Sequence, residues 1–380
     1  MRQEEIDTLN VPYTIPKGTK VDRRFHSSIG ADVPSAAKLA KEIVDDLDTN
    51  SFGVSWWKSL PTEERILISD YLYQCADAIE ANLVEAKLHY FEWLDARKRG
   101  NERIVDSVST DAAGELRFKM PPATRPLDDL PNKLQTLHIC GFFRAVGSSL
   151  DCLGAVIIGV LGLPTSLRRC DISKARTALS KVTSSATAGA QLQADFRDFF
   201  EQVRVATGVQ DWLEWTDQYR NMFVHRGRRM AYPQIVSQDV VLFDSNGQVI
   251  PRSTSTLHLA KYPDRSEIEA LIKSKDVLLN EDAEVTLNGI FKSCRELDEH
   301  TCERLLAVWK ERRNNPALIE QPADQWDNKI RSCDFNGYEP NSEQLRADAM
   351  IGGSVLFKRM LSASVDDDHR GLWTTSKWNQ

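Results

Sequence analysis

The sequence lacks the paired cysteines, the long apolar runs and the excess of positive charge that mark several common classes of protein. Its seven cysteines are dispersed and form no C-x-x-C pair, which predicts reduced thiols in a cytoplasmic protein. The opening residues, MRQEEIDTLN, contain no apolar run, so we expect no signal peptide. The most apolar stretch, Leu150 to Leu163, is interrupted by Asp151 and followed by Pro164. It is too short to cross a bilayer and predicts a buried helix, with no association with a membrane.

Motifs for metal-dependent or nucleotide-dependent chemistry are also missing from the sequence. It contains neither the H-E-x-x-H pair of zinc peptidases nor the G-x-x-x-x-G-K-[ST] loop that binds nucleotide phosphates. Five histidines have no motif partner, and we interpret them as structural: His26, His89, His138, His258 and His300. We therefore expect no metal ion and no cofactor.

Helical spacing predicts a mainly α protein. The expected helices cover 35–47, 61–98, 132–163, 172–181, 190–206 and 209–226, followed by 266–274, 282–313 and 342–361. A short strand is expected at 115–120. Alternating apolar residues predict a hairpin at 240–250 with an Asn-Gly turn, and a third strand at 254–259. Four glycines in the 132–163 helix are expected to let neighbouring backbones approach: Gly141, Gly147, Gly154 and Gly159.

These elements divide the chain into five parts. They are an irregular N-terminal segment with a short helix (1–60), an antiparallel helical bundle (61–230), a β-hairpin or meander (231–262), a helical extension (263–314) and a partly disordered C-terminal segment (315–380).

The stretch from Trp212 to Arg229, WLEWTDQYRNMFVHRGRR, has the spacing of an amphipathic helix. At about 100° per residue, one face of about 100° carries the apolar side chains Trp212, Trp215, Tyr219, Met222 and Phe223 and predicts contact with a core. The polar face carries Glu214, Asp217, Arg220, Asn221 and His225. Gly227 favours the end of this helix, because glycine adopts the left-handed conformation at little cost.

Charge is distributed unevenly along the chain. The net charge of −7 argues against a protein that coats nucleic acid with its whole surface. From Arg220 to Met230, however, there are four arginines and no acid. An RNA-binding surface is therefore expected at Arg226, Arg228 and Arg229.

The six residues from Arg220 to His225 read R-N-x-x-x-H and resemble the signature of HEPN proteins. The ribonuclease members of that family carry R-x(4–6)-H, often with a polar residue after the arginine. The resemblance covers this motif, its helix and a helical context over about a third of the chain. It implies that the 61–230 bundle is HEPN-like, and that the protein is a cytoplasmic, metal-independent endoribonuclease acting as a toxin or in antiviral defence.

The resemblance also implies roles for three residues. His225 engages the 2′-OH of RNA, since imidazole titrates near neutral pH. Arg220 holds the phosphate through its planar set of donors, and Asn221 holds the phosphate or fixes the ring of His225. Two motifs face each other across a homodimer and leave a 2′,3′-cyclic phosphate. The expected partners are RNA, a second copy of the chain, and an antitoxin or regulatory protein.

Two other interpretations remain open at this point. In the first interpretation, Arg220 and His225 are ordinary surface residues. Arg220 then pairs with Asp217, and His225 binds the last carbonyls of the helix. The protein is then a structural or partner-binding helical protein. In the second, the arginine patch binds RNA or nucleotides without cleaving them.

Overall fold

The computed structural model describes residues 33–46, 62–106, 108–110, 116–118, 130–183, 187–223, 231–243, 249–261, 278–320 and 337–338. This part of the chain is mainly helical, which confirms the predicted mainly α class. Its helices are α1 (Pro34–Asp45), α2 (Thr62–Asp106), α3 (Leu130–Leu161), α4 (Ile172–Ser180), α5 (Ala188–Ala206), α6 (Trp212–Asn221) and α7 (Ala283–Asn314). The strands are β1 (Val108–Thr110), β2 (Leu116–Phe118), β3 (Ala231–Phe243) and β4 (Val249–Leu259).

The two longest early helices, α2 and α3, form an antiparallel hairpin. Gly141 of α3 lies against His89 of α2, and Gly159 of α3 lies against Leu72 of α2, so the two helices run in opposite directions. The antiparallel strands β1 and β2 lie in the connection between these helices. Only β2 was expected from the sequence. The predicted end of α2 before Gly100 is wrong: one glycine costs a helix only about 1 kcal/mol, and α2 continues to Asp106.

The glycines of α3 mostly accommodate side chains, whereas neighbouring backbones were expected. A Cβ atom would meet the side chain of His89 at Gly141, that of Arg220 at Gly147 and that of Leu72 at Gly159. Only Gly154 lies against backbone, that of Asp171 and Ile172. The missing side chains therefore create room for three specific residues, one of which belongs to the R-N-x-x-x-H motif.

Helix α7 packs into the same core as the α2–α3 hairpin. Ser149 of α3 donates a hydrogen bond to Asp298 of α7 at 2.7 Å, and Arg97 of α2 pairs with Asp282 just before α7. Helix α1 is fixed to α7 at one end by Ser35, whose hydroxyl donates to Glu299 at 2.7 Å. The core of the bundle therefore includes a helix from the predicted 263–314 extension, while the domain boundaries themselves stay a prediction.

One helix in the described residues, Lys133–Leu161, is long and apolar enough to cross a membrane. Of its most apolar window, 78% is buried inside the protein. Length and apolarity alone are weak grounds for a membrane span, and this burial fits the core helix of a soluble protein.

Strands β3 and β4 form one long antiparallel hairpin. Ala231 pairs with Leu259 at its base and Phe243 with Val249 at its far end, with a register shift between Ser237 and Val241. The separate third strand predicted at 254–259 is wrong, because those residues continue β4 and pair with the first half of β3. The predicted Asn-Gly turn, the helices at 266–274 and 342–361, and the irregular segment 1–32 lie outside the described residues.

Candidate functional site

Helix α6, which carries the start of the R-N-x-x-x-H motif, is fixed by its aromatic face. Trp212, Tyr219 and Met222 are buried, while Trp215 and Phe223 are half-buried against the core. The ring of Phe143 on α3 lies 4.7 Å from Tyr219, 5.7 Å from Phe223 and 6.0 Å from Trp215, measured between centroids. The predicted inward face is therefore confirmed, and it seats α6 across the middle of α3.

Hydrogen bonds from the same aromatic side chains fix the position of α6 along the bundle. The indole of Trp212 donates to the carbonyl of Arg204 at 3.1 Å, and that of Trp215 donates to the carbonyl of Lys261 at 3.1 Å. The hydroxyl oxygen of Tyr219 accepts from the backbone N–H of Ala260 at 3.0 Å. Helix α6 is thus attached to α5 before it and to the residues that follow β4.

Arg220 projects from α6 towards α3 and forms an ion pair with Asp151. Its Nη2 lies 2.5 Å from the carboxylate Oδ2, and the two side chains are 25% and 22% exposed. A Cβ atom at Gly147 would lie 2.8 Å from Cγ of Arg220, so the arginine stem lies directly over that glycine. The other carboxylate oxygen of Asp151 accepts from the N–H of Ile172 at 3.4 Å. The guanidinium is therefore held in one place at the edge of the bundle.

The second motif residue, Asn221, has a different partner. Its side-chain amide donates to Asp217 Oδ2 at 3.3 Å, one helical turn earlier. The alternative interpretation, in which Asp217 pairs with Arg220, is not what the structure shows. Asp217 engages Asn221, while Arg220 reaches across to α3.

Burial dominates the electrostatics of Asp151. Desolvation raises the pKa of this carboxyl above its ordinary value, although the neighbouring charge of Arg220 lowers it. Asp171 and Asp217 add smaller contributions that raise it further. A pair whose desolvation is not fully offset gives little net stability, so the arrangement orients the guanidinium more than it strengthens the fold.

The remainder of the motif falls where the structure is not described. Helix α6 passes into a π-turn at Met222 and Phe223, the last described residues before β3. The positions of His225, Arg226, Arg228 and Arg229 lie outside the described residues, so their placement beside Arg220 stays a prediction.

Sequence reasoning did not identify Asp151 or Gly147 as part of this site. Asp151 was noted only as an interruption in an apolar stretch, and that interruption was the available signal. A carboxylate inside a core helix is costly unless a partner meets it. Its partner is 69 residues away in the sequence, so no local pattern connects the two.

No metal centre accompanies this site in the part of the chain that is described: no group of three or more His, Cys, Asp or Glu side chains there could hold an ion.

Comparison of the chain with protein-family models, with curated proteins and with solved structures finds no match.

Proposed function

We propose that the protein is a metal-independent endoribonuclease of the HEPN type, with Arg220, Asn221 and His225 as its catalytic residues. Three features support this proposal. The motif begins on a late helix of a mainly helical bundle, and buried aromatic residues anchor that helix. The arginine of the motif packs on Gly147 and pairs with Asp151. Such ribonucleases are described as antiparallel helical bundles, so we further propose that the 61–230 region is HEPN-like.

The observation that carries the proposal is the position of Arg220. An ordinary surface arginine needs neither a glycine beneath its stem nor a partly buried carboxylate to hold it. Here Gly147 provides the room and Asp151 the anchor, and one guanidinium edge is left over, since Arg220 has no other hydrogen-bond acceptor among the described residues. A fixed donor that is already aimed stabilises developing charge without reorganising during the reaction.

The proposed reaction divides the work among the motif residues. His225 removes the proton of the RNA 2′-OH, and the resulting oxygen attacks the adjacent phosphorus. The P–O5′ bond breaks while His225 of the second copy gives a proton to the leaving 5′ oxygen, and the products are a 2′,3′-cyclic phosphate and a 5′-OH. Arg220 binds the phosphate oxygens as charge develops, and Asn221 binds the same phosphate or orients His225. Arg226, Arg228 and Arg229 bind the flanking backbone of the RNA.

We also propose that the active form is a homodimer with the two motifs facing each other. One copy of the motif offers too few groups to act as acid, base and phosphate clamp together, and a two-fold interface duplicates every group. Mixing Arg220→Ala and His225→Ala chains tests this. A composite site predicts partial recovery of cleavage in the mixed dimer, because each chain supplies the residue that the other lacks. No recovery after verified subunit exchange contradicts the composite site.

The test of the reaction uses purified protein, RNA and a DNA strand of the same sequence. We expect RNA to be cut equally with and without EDTA, DNA to remain intact because it lacks the 2′-OH, and mass spectrometry to find 2′,3′-cyclic phosphate ends. RNA that is bound but never cut would favour the non-catalytic binding module instead. Neither binding nor cleavage would favour a structural or partner-binding protein.

The biological role follows from the resemblance alone. A ribonuclease of this kind acts in the cytoplasm as a toxin or antiviral effector, and an antitoxin or regulatory partner restrains it. Growth arrest on expression of the wild-type chain, absent for His225→Ala, is the expected sign of such an activity.

A further inference from the structure

A second arginine lies beside Arg220 on the surface of α3. Arg144 is exposed and lies one helical turn before Gly147, the glycine over which the stem of Arg220 passes. Cβ atoms three positions apart on a helix are separated by about 5–6 Å, and Cγ of Arg220 is 2.8 Å from the Cβ position at Gly147. The Cβ of Arg144 and the Cγ of Arg220 are therefore at most about 9 Å apart, although the two residues are distant in the sequence.

The position of Arg144 around α3 places it on the side of this helix that meets Arg220. At about 100° per residue, Arg144 lies about 60° from Gly147 and Asp151 lies about 40° from it, in the same sense. Ser149, which contacts α7, lies about 160° from Gly147. Arg144 and the ion pair of Arg220 with Asp151 thus share one side of α3, and α7 covers the opposite side.

Unlike most of the described arginines, Arg144 is not neutralised by a carboxylate. Arg97, Arg176 and Arg313 each pair with a carboxylate oxygen at 3.0 Å or less. Arg144 has neither a hydrogen-bond partner nor an ion-pair partner among the residues that the structure describes. An exposed guanidinium in this state can bind a phosphate through two parallel N–H donors.

The spacing of the two arginines fits two different phosphates of one strand. Between Arg144 and Asp151, α3 rises by about 10 Å. Long side chains on a helix lean towards its N-terminus, so Arg144 extends away from Asp151, whereas Arg220 reaches Asp151. The two guanidinium groups are therefore about 10 Å or more apart. A stacked strand carries one phosphate per about 3.4 Å, so this distance corresponds to about three nucleotides or more.

We propose that Arg144 binds a backbone phosphate that flanks the scissile phosphate of the RNA. The contact recognises the sugar–phosphate backbone and not the bases, so it positions the strand without reading its sequence. This inference rests on the proposed function, because it takes Arg220 as the residue that binds the scissile phosphate. Arg144 is a binding residue and takes no part in proton transfer.

Fluorescence anisotropy with a labelled, single-stranded 2′-O-methyl RNA measures this contact without cleavage, since His225 finds no 2′ proton to remove. Loss of one phosphate contact to a single strand makes the slope of log K against log salt concentration less negative by about 0.7. We expect this change in Arg144→Gln. Affinity should then be about eightfold lower at about 50 mM salt and nearly equal at about 1 M. Arg144→Lys keeps the charge and should keep the slope of the wild type.

Arg304→Gln is the matched control. Arg304 belongs to α7, on the side of α3 opposite to Arg220, and it also has no hydrogen-bond or ion-pair partner among the described residues. The control loses the same charge as Arg144→Gln, and it should bind the strand as the wild type does. The Tm of the variants should stay at the wild-type value, because the substitutions break no hydrogen bond or ion pair within the described residues.

Three results would overturn the inference: no binding of the strand by the wild type, an unchanged slope in Arg144→Gln, or an equal change in Arg304→Gln. Cleavage of unmodified RNA is measured separately and distinguishes the two proposals. Cleavage by the wild type together with an unchanged slope in Arg144→Gln refutes only the role of Arg144. A changed slope without any cleavage by the wild type supports the phosphate contact and refutes the ribonuclease reaction.

A measurement on the unsubstituted protein covers the case in which a variant does not fold. The 2′-O-methyl strand should protect Arg144, but not Arg304, from an arginine-selective dicarbonyl reagent, as read by peptide mass spectrometry. Equal modification of Arg144 with and without the strand would contradict the phosphate contact.

Discussion

Asp298 makes the stability of the protein depend on pH near neutrality. This carboxyl on α7 is completely buried. Its Oδ2 accepts from the hydroxyl of Ser149 at 2.7 Å and lies 3.6 Å from the thiol of Cys294, while Oδ1 has no hydrogen-bond partner. No ion pair joins it to any residue that the structure describes. Burial therefore raises its pKa to about 7, against an ordinary value of 3.8.

The direction of the effect follows from the proton affinities of the two states. The folded state holds this proton more tightly than the unfolded state does, so the contribution of Asp298 is complete below about pH 4 and is lost as the pH rises through 7. Each unit between the two pKa values corresponds to about 1.4 kcal/mol. The gap between 3.8 and about 7 therefore corresponds to a loss of about 4 kcal/mol of unfolding free energy.

Substitution of Asp298 with Asn isolates this contribution, because Asn resembles the protonated carboxyl and does not ionise. Urea unfolding between pH 4 and pH 8.5 should show the variant close to the wild type at the acidic end and more stable than it at the alkaline end. Asp198→Asn, at an exposed position, is the control and should keep the wild-type pH dependence in this range. Parallel curves for wild type and Asp298→Asn would refute the assignment.

Two further predictions concern the contacts that hold α6 and its Arg220 against the bundle. Tyr219→Phe removes the acceptor of the buried Ala260 N–H and should lower the free energy of unfolding by about 1–3 kcal/mol, measured by urea unfolding. The control Tyr338→Phe, at an exposed tyrosine, should change it little. Equal stability of the two variants would contradict the role of this hydrogen bond. Gly147→Ala should displace the arginine stem from Asp151 and reduce RNA cleavage. Its Tm should fall, because the loss of the partner of a largely desolvated carboxylate outweighs the helix preference of alanine. Undiminished cleavage would show that the contact of Arg220 with Gly147 and Asp151 is dispensable.

Helical periodicity predicted most elements because each depends on local spacing. Helix α7 was expected at 282–313 and covers Ala283–Asn314, and α5 was expected at 190–206 and covers Ala188–Ala206. Their apolar residues recur every three to four positions, and this pattern can be recognised without knowing which elements pack against the helix. The inward face of the motif helix was predictable for the same reason.

Features that depend on distant residues were not predictable in this way. The pairing of Arg220 with Asp151, the position of Arg144 beside Arg220, and the burial of Asp298 each require the packing of the helices to be known first. The predicted third strand failed for a related reason. An isolated alternation at 254–259 does not reveal whether it starts a strand or, as here, belongs to the same strand as 249–253.

The most direct test of the account is the initial rate of RNA cleavage by three purified proteins in EDTA: wild type, Arg220→Ala and His225→Ala. We expect His225→Ala to lower the rate by about 10²–10⁴, the usual contribution of a positioned acid or base. Arg220→Ala should lower the rate of cleavage by about 10²–10³, because the developing charge on the phosphate then lacks its fixed hydrogen-bond donor. Undiminished cleavage by both variants would contradict the account, since the activity would then belong to other residues or to a contaminating nuclease.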